Sequence, residues 1–325
     1  SRTYLARLNP DGSLDTAYHP QPNGTVYSLI AQSDGRLLAG GAFNAFDPDD
    51  NDDTAVASRN YLARITTEGT LDDSYQPGAG GAVLSLVLQP DGALLVAGTF
   101  TSLTGHGGAA STRSYLGRLT AAGALDESFQ PTPNATVQAL ALQTDGSIVL
   151  SGLFTTLNPG AKTTTEPIAR QRIARLKSDG TVDAGFSPSP DGTITSILVH
   201  PGGQIYLGGL FNALNLLPHY NLARLNADGS VDSQFTLNAN SSVVALSLDT
   251  ADRILVSGNF TALQTETGVV LAADDHLIRL AADGTPDPAF AVQTGSGSGR
   301  VQSLAFQLDG SVLAGGTFHR LAGGD

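Results

Sequence analysis

Two short patterns of alternating apolar and polar residues recur along the chain. In one copy, "VYSLIAQ" (26–32) alternates, "SDG" follows as a turn, and "RLLAGGAF" (36–43) is again apolar. After a variable segment come "YLARI" (61–65), a second glycine-containing turn and the short "LDDSY" (71–75). Alternation with a period of two predicts strands, and no stretch keeps a helical period. The pattern therefore predicts an all-β chain built from four-stranded units.

The unit recurs six times. One arginine marks each copy, and these framework arginines are Arg7, Arg64, Arg118, Arg175, Arg224 and Arg279. Units of about 50 residues with four strands are typical of β-propeller blades, whereas solenoid coils are shorter and sandwiches do not repeat. We therefore predict a single six-bladed β-propeller domain over residues 1–325.

The two ends of the sequence each carry part of a unit. Residues 4–18 supply the third and fourth predicted strands, and 301–318 supply the first two. We expect the N-terminal strands to pair with the C-terminal strands and close the ring, which would remove exposed sheet edges. A longer array cut at both ends is the alternative. Because the chain begins inside a repeat, we expect a mature product or an excised domain.

The repeat resembles a known family. "LARLNADGSVDSQF" (222–235) and "ALALQTDGSIVLSGLF" (139–154) resemble the unit of the bacterial delta-sixty repeat β-propellers, and the resemblance covers essentially the whole chain. It implies a propeller from a large exported bacterial protein, and it implies no particular activity.

Residues of one type at the same place in all six units indicate architecture. Each framework arginine precedes an aspartate by eight residues, which predicts six structural guanidinium–carboxylate pairs. Glycines in the turn after "ARL" predict positive φ, and a Gly-X-Phe pattern ending the second strand predicts close packing around a buried ring. The turn glycines are Gly12, Gly69, Gly123, Gly180, Gly229 and Gly284.

Loop lengths divide each unit into two ends. The first-to-second and third-to-fourth connections are all tight "DG"-like turns, so one face is plain. The other face carries the variable segments 44–59, 101–113, 155–170, 212–219 and 261–275 and the links between units. Because binding residues concentrate on variable loops of rigid scaffolds, we expect binding on this second face.

The first variable segment contains an acidic cluster. Oxygen-bearing side chains alternate at Asp47, Asp49, Asn51 and Asp53. This spacing suits a hard cation such as Ca²⁺, although the glycine and distal glutamate of an EF-hand loop are missing. A solvated acidic loop and a direct ligand contact are the alternatives.

Other candidates open the third strand on the same face. Five residues before each framework arginine stand Arg2, Arg59, Arg113, Arg170, His219 and Asp274. Four arginines there could attract an anionic ligand, or each could pair with loop carboxylates and carbonyls. Leu216, Leu217 and Tyr220 form a contact patch or pack within their own loop.

Composition excludes several classes. The chain has 325 residues, net charge −13 and no basic cluster, which disfavours nucleic-acid binding. No apolar run approaches the length of a membrane span, so we expect no membrane insertion. The absence of cysteine excludes disulfides and zinc–thiolate sites. A chain free of cysteine and methionine, poor in lysine and acidic, favours an extracellular or cell-surface protein of bacteria.

The sequence favours a non-enzymatic module for adhesion or assembly. Its partners would be a protein or glycan at the cell surface, or further copies of the chain. The predicted innermost strands carry Arg300 as their one charge, with no carboxylate pair or histidine for acid–base chemistry. The alternative is a propeller hydrolase or lyase that acts on polysaccharides or lactones, with or without calcium.

Overall fold

The computed structural model describes residues 3–46, 57–158, 166–265, 268, 270–272, 276–287, 290, 292–293, 301–306, 312–316 and 322–323. These residues form strands, turns and bends, with no helix among them. No helix in this part of the chain thus has the length and apolar character needed to cross a membrane.

The strands are numbered in chain order. The first sixteen are β1 (Val26–Ala31), β2 (Leu37–Gly41), β3 (Ala45–Phe46), β4 (Ala57–Ser58), β5 (Leu62–Ile65), β6 (Gly78–Ala79), β7 (Val83–Leu88), β8 (Leu94–Gly98), β9 (Ser102–Thr104), β10 (Ala110–Thr112), β11 (Leu116–Leu119), β12 (Thr132–Pro133), β13 (Val137–Leu142), β14 (Ile148–Gly152), β15 (Thr156–Asn158) and β16 (Ile168–Ala169). The other sixteen are β17 (Ile173–Leu176), β18 (Thr193–Val199), β19 (Ile205–Leu210), β20 (Ala213–Leu214), β21 (Leu217–Pro218), β22 (Leu222–Leu225), β23 (Asn238–Ala239), β24 (Val243–Leu248), β25 (Ile254–Gly258), β26 (Ala262–Gln264), β27 (Val270–Ala272), β28 (Leu277–Leu280), β29 (Val292–Gln293), β30 (Val301–Phe306), β31 (Val312–Gly316) and β32 (Ala322–Gly323).

Five repeats have a main antiparallel sheet in which the second strand lies between the first and the third. The sheets β1-β2-β5, β7-β8-β11, β18-β19-β22 and β24-β25-β28 share this order. The pair β14–β17 follows the same pattern. In the last repeat the described residues form the two-stranded sheet β30–β31. Along the third strand the register is constant: the framework arginine lies opposite the second residue of its partner in β2, β8, β14 and β19 alike.

The predicted fourth strand is shorter in the structure than the alternation suggested. In place of a full strand, a single bridge joins Ile65 to Leu71, and equivalent bridges join Leu8 to Leu14 and Leu119 to Leu125. The next residues turn back because the carboxylate of the repeat aspartate accepts the amide of the residue two positions on. Apart from the two-stranded β30–β31, the main sheets of the described residues are therefore three-stranded, and a one-residue bridge takes the place of the fourth strand.

The variable segments are also more regular than predicted. The residues described in them form short hairpins, β3–β4, β9–β10, β15–β16, β20–β21 and β26–β27. Link strands β6, β12 and β23 join the second, third and fifth of these hairpins to form small three-stranded sheets, here called the second, third and fifth hairpin sheets. Isolated bridges at Pro22 and Pro190 take the same role for β3–β4 and β20–β21. Each of the five repeats with a described hairpin thus has a turn end and a hairpin end.

The chain divides into two compact units. Unit 1 comprises 1–140, 154–169 and 178–182, and unit 2 comprises 141–153, 170–177 and 183–325. The core of unit 1 includes the fully buried Phe43 and Phe100, and that of unit 2 includes Phe211 and Phe260. The glycine two residues before each ring is required. At Gly98, for example, a Cβ would overlap the carbonyl oxygen of Ala82, the residue just before the facing strand β7. The close packing predicted for the Gly-X-Phe pattern is confirmed at these positions.

Each framework arginine holds its repeat together through several groups. In unit 1, Arg118 Nε donates to Asp126 Oδ2 at 2.8 Å, and its guanidinium lies 4.4 Å from the centre of the Phe129 ring. Its Nη1 donates to the carbonyl of Ser178 at 2.6 Å, in the turn of the following repeat. All six predicted arginine–aspartate pairs are present, so the structural interpretation is confirmed.

Two further regularities were not predicted. First, Ser28 Oγ accepts the amide of Leu86 at 3.1 Å and Ser85 Oγ accepts that of Leu140, each at an irregularity in the first strand. Second, the residue just before the third strand has positive φ in all six repeats. This set comprises Tyr4, Tyr61, Tyr115, Arg172, Asn221 and His276, with φ between 60° and 67°. The six turn glycines also have positive φ, as predicted.

Candidate ligand cavity at the second hairpin sheet

The predicted calcium loop lies outside the described residues. Asp47, Asp49, Asn51 and Asp53 all fall within 47–56, and Arg2 and Asp274 are likewise not described. Among the described residues, no group of three or more His, Asp or Glu side chains could hold a metal ion. The calcium hypothesis therefore stays a prediction.

The predicted rim arginines are held by partners within their own hairpin ends. Arg59 Nη2 contacts Asp73 Oδ1 at 2.5 Å, and Arg113 Nη2 pairs with Glu127 Oε2. Both carboxylates are one residue beyond the framework aspartate, and both are largely exposed whereas the arginines are about one-tenth exposed. Two of the candidate residues thus form equivalent ion pairs, which agrees with the pairing alternative.

Arg170 occupies the same position in the next repeat with different partners. Its Nη2 donates to the carbonyl oxygens of Asp183 and Ala184 at 3.1 and 3.2 Å. Because Ala184 replaces the acidic residue found in the other two repeats, no carboxylate of that position is available. Burial lowers the pKa of Arg170, while the charge of Asp183 acts in the opposite direction.

The predicted apolar patch is exposed in unit 2. Leu216 is 96% exposed, Leu217 55% and Tyr220 45%. Asn215 and Leu216 form the tip of the β20–β21 hairpin, both with positive φ, a turn in which glycine is usual at the second position. His219 is buried, so this candidate does not contribute an exposed side chain.

A side-chain cap anchors four of the five hairpins. In hairpin sheet β12-β15-β16, Asn134 Oδ1 accepts the amides of Thr155 and Thr156 at 2.9 and 3.1 Å. Its Nδ2 donates to Thr155 Oγ1 at 3.0 Å. The same two amides after the buried phenylalanine are bound in the other three hairpins by Asn23, Asp191 and Asn240.

The hairpin sheet β6-β9-β10 lacks this cap because its residue is Gly80. Gly80 is equivalent to Asn134 in backbone geometry, because Gly80 N donates to Ser102 O just as Asn134 N donates to Thr156 O. With no side chain at Gly80, the corresponding amides of Thr101 and Ser102 have no carboxamide or carboxylate from that position.

A cavity of about 340 Å³ lies at this place in unit 1. Its walls are residues 58–60, the link 76–80, and Ser102, Thr104 and Ala110 of the β9–β10 hairpin. Arg59 lies in the wall beside the uncapped hairpin. One predicted binding residue is therefore part of a cavity, whereas Leu217 and Tyr220 lie on a protruding hairpin in unit 2.

Polar contacts fix the walls of the cavity. The backbone amide of Gln76 donates to His106 Nδ1 at 3.0 Å, which ties the link to the β9–β10 hairpin. Gln76 Nε2 lies 3.4 Å from Asp73 Oδ1, the same oxygen that contacts Arg59. The cavity thus has one cation in its wall and hydroxyl, amide and backbone groups around it.

Sequence reasoning missed the cap, although its signal is present. The links read "NGT" (23–25), "NAT" (134–136), "DGT" (191–193) and "NSS" (240–242), whereas the second link reads "GGA" (80–82). The four links with asparagine or aspartate have the cap, and the second link, which has glycine, lacks it. The role of this residue becomes clear only in the structure, where the link side chain accepts the hairpin amides.

A family model matches most of the chain. It is described as "Domain of unknown function (DUF5122) beta-propeller" and matches residues 1–18, 32–75, 89–129, 143–186, 200–235 and 251–290. The chain belongs to this family. The all-β class and the propeller family are thereby confirmed, whereas the delta-sixty name is not. No curated protein matches the chain significantly.

Solved propellers share the fold at low identity. The "Streptogramin B lyase structure" matches with a TM-score of 0.57 and 14% identity over 97% of this chain and 84% of that chain. The "WD40 beta propeller domain of Doa1" matches with a TM-score of 0.50 and 12% identity over 92% of each chain. At such identities the likeness concerns the fold alone.

Proposed function

We propose that this member of the DUF5122 β-propeller family is a non-enzymatic binding module that serves adhesion or assembly through its hairpin ends. The observation that carries the proposal is the contrast between the ends of each repeat. Turn ends are nearly constant, while hairpins differ in length, tip and cap from repeat to repeat. Variation confined to one end of a uniform scaffold is typical of binding surfaces.

The turn ends give the matching support. Their aspartates accept the amide two residues on, as Asp11, Asp179 and Asp228 do, and thereby rigidify each turn. The framework arginine then ties the turn to its neighbour. The polar groups of these turns are engaged in holding the backbone, which favours the hairpin ends for ligands.

The six-bladed closed ring is also part of the proposal. It rests on six sequence copies and on the equivalence of Leu5–Leu8 with Leu62–Ile65. By the β2–β5 register, in which Ala39 faces Ala63, Ala6 would face Ala314. Since the chain has no cysteine, the pair Ala6→Cys and Ala314→Cys should form one disulfide on oxidation. Persistently free thiols in the folded monomer would contradict closure.

The setting that we propose is the bacterial cell surface, on the basis of composition. In the same setting, calcium at Asp47, Asp49, Asn51 and Asp53 would brace the first hairpin, and calorimetry tests this directly. We expect heat with the wild type and none with Asp49→Ala plus Asp53→Ala. Absence of heat from both proteins would eliminate the site.

Binding is tested with defined probes and two matched variants. The probes are an immobilised array of acidic and neutral polysaccharides, and the protein itself in light scattering after size exclusion. The hairpin-end variant is Leu216→Ser, Leu217→Ser and Tyr220→Ser combined with Arg59→Ser and Arg113→Ser. The turn-end control carries Ser33→Ala, Thr144→Ala and Thr250→Ala, three exposed positions.

The proposal expects a signal that the hairpin-end variant weakens and the turn-end control retains. Absence of both array binding and self-association would contradict it, as would loss in the control alone. A turnover screen on polysaccharides and lactones belongs to the same test. Turnover that requires Arg300 would establish the enzymatic alternative.

A further inference from the structure

The cavity beside Gly80 lies where four other hairpins hold an asparagine or aspartate side chain. We propose that it binds an acidic saccharide, whose carboxylate takes the position of the missing cap. This inference rests on the proposed binding function and assigns to it a site and a ligand class.

The other repeats show which groups accept hydrogen bonds from the amides at this position: a carboxamide oxygen in three hairpins and a carboxylate oxygen in one. In unit 2, Asp191 Oδ1 accepts the amides of Asn212 and Ala213 at 2.8 and 2.9 Å. These two amides lower the pKa of Asp191, so the ionised carboxylate is the form they stabilise. The amides of Thr101 and Ser102 occupy the equivalent positions, and a ligand carboxylate can supply the oxygen that Gly80 cannot.

Two side chains add to this preference for a carboxylate. A Cβ on Gly80 would meet Ser102 Oγ, so this hydroxyl occupies the root of the missing side chain and can donate to an anion there. Arg59 adds a positive charge in the cavity wall, shielded from solvent and held in place by Asp73. Charge-assisted hydrogen bonds of this kind are stronger than neutral ones.

The rest of the cavity suits a polyhydroxylated ligand. Its other walls present Ser58, Asn60, Gln76 and Thr104, and no large apolar side chain. A volume of about 340 Å³ is at the small end of ligand sites and fits one sugar residue. A uronic acid combines the carboxylate with the hydroxyl groups that these side chains recognise.

The experiment is isothermal titration of the full chain with sodium glucuronate, with glucose and acetate as separate arms. The decisive variant is Gly80→Asn combined with Ser102→Ala, which rebuilds the cap with the alanine that three capped hairpins carry at Ala45, Ala213 and Ala262. Ser102→Ala alone is the matched control. A melting curve checks folding, and the rebuilt cap should raise the melting temperature.

We expect saturable binding of glucuronate to the wild type, weakened at least tenfold in the cap-rebuilt variant and less in Ser102→Ala. Glucose should not bind. Equal affinity for glucuronate in wild type and rebuilt variant would overturn the site. If glucose bound as tightly as glucuronate, the carboxylate would not be the group that is recognised. If acetate bound as tightly as glucuronate, the saccharide would not be recognised. If the array shows binding that depends on the hairpin ends while glucuronate gives no heat, this inference fails and the proposed function stands.

Discussion

The second and third hairpin sheets differ in one side chain within otherwise matching surroundings. Both have an arginine paired with an exposed carboxylate, Arg59 with Asp73 and Arg113 with Glu127. Both have the same backbone bond from link to hairpin. Asn134 fills the link position in the third sheet, whereas Gly80 leaves it open beside a cavity in the second. The comparison shows that the repeat keeps its framework and varies at the cap.

The largest effect is expected from the framework that the two sheets share. Arg118→Ala would remove the bond to Asp126, the contact with the Phe129 ring and the bond to Ser178, leaving a mostly buried carboxylate without its cation. We expect a loss of about 3 kcal/mol in the free energy of unfolding. Urea denaturation measures this loss. The free energy of unfolding of Arg118→Lys should lie between those of wild type and Arg118→Ala. A loss no larger than that of Arg113→Ala would contradict the structural role.

Acid should reduce the same contribution. The pKa of Asp126 lies below its usual value: burial alone would raise it, but bonds from Ser128 and Arg118 outweigh that effect. Because the folded pKa is the lower one, the stabilisation is present above about pH 4 and is lost as pH falls through the folded value. The stability difference between wild type and Arg118→Ala should therefore shrink below pH 4. A difference independent of pH would refute this linkage.

The cap should contribute less than the framework. Asn134→Gly would leave the amides of Thr155 and Thr156 without their acceptor, which we expect to cost about 1 to 2 kcal/mol. Asn134→Asp keeps an oxygen for both amides, as Asp191 does, and should remain close to wild type. Thermal melting of the two variants tests this role. An equal drop in melting temperature in Asn134→Gly and Asn134→Asp would show that the side-chain oxygen does not stabilise the hairpin.

The smallest effects on stability are expected from the outer arginines. Their carboxylate partners are largely exposed, and pairs of this kind contribute at most about 1 kcal/mol. Arg59→Ala and Arg113→Ala should thus unfold at nearly the same urea concentration as wild type. Only Arg59→Ala should weaken glucuronate binding, and an equal loss from both would indicate a general charge effect.

Much of the scaffold could be predicted from the sequence because it repeats. Six arginine–aspartate spacings and six turn glycines each recur with one geometry, and the structure confirms them. The fourth strand was overestimated, since alternation over "LDDSY" is also satisfied by one bridge at Leu71 followed by a turn. The hairpins were missed because two- and three-residue strands are too short to show a period.

The candidate site was less predictable. Arg59 was predicted from its position in the repeat. The cavity beside it, however, depends on the missing side chain of Gly80. That loss has a meaning only once the structure places the hairpin amides to which an asparagine there would bond. The acidic loop Asp47–Asp53 was predicted as a calcium site from the alternating spacing of its oxygen-bearing side chains, and it lies outside the described residues. The residue pattern of one loop therefore predicted one site, while the comparison between repeats in the structure led us to propose another, the cavity beside Gly80.

Amide hydrogen exchange at Ser102 and Thr156 tests the central claim most directly. These residues occupy the same position in the second and third hairpin sheets, and only Thr156 donates to a cap. We predict faster exchange at Ser102 in the free protein, and slower exchange there after glucuronate is added, with Thr156 unchanged. Equal protection of the two amides without ligand, or no response of Ser102 to glucuronate, would contradict the account.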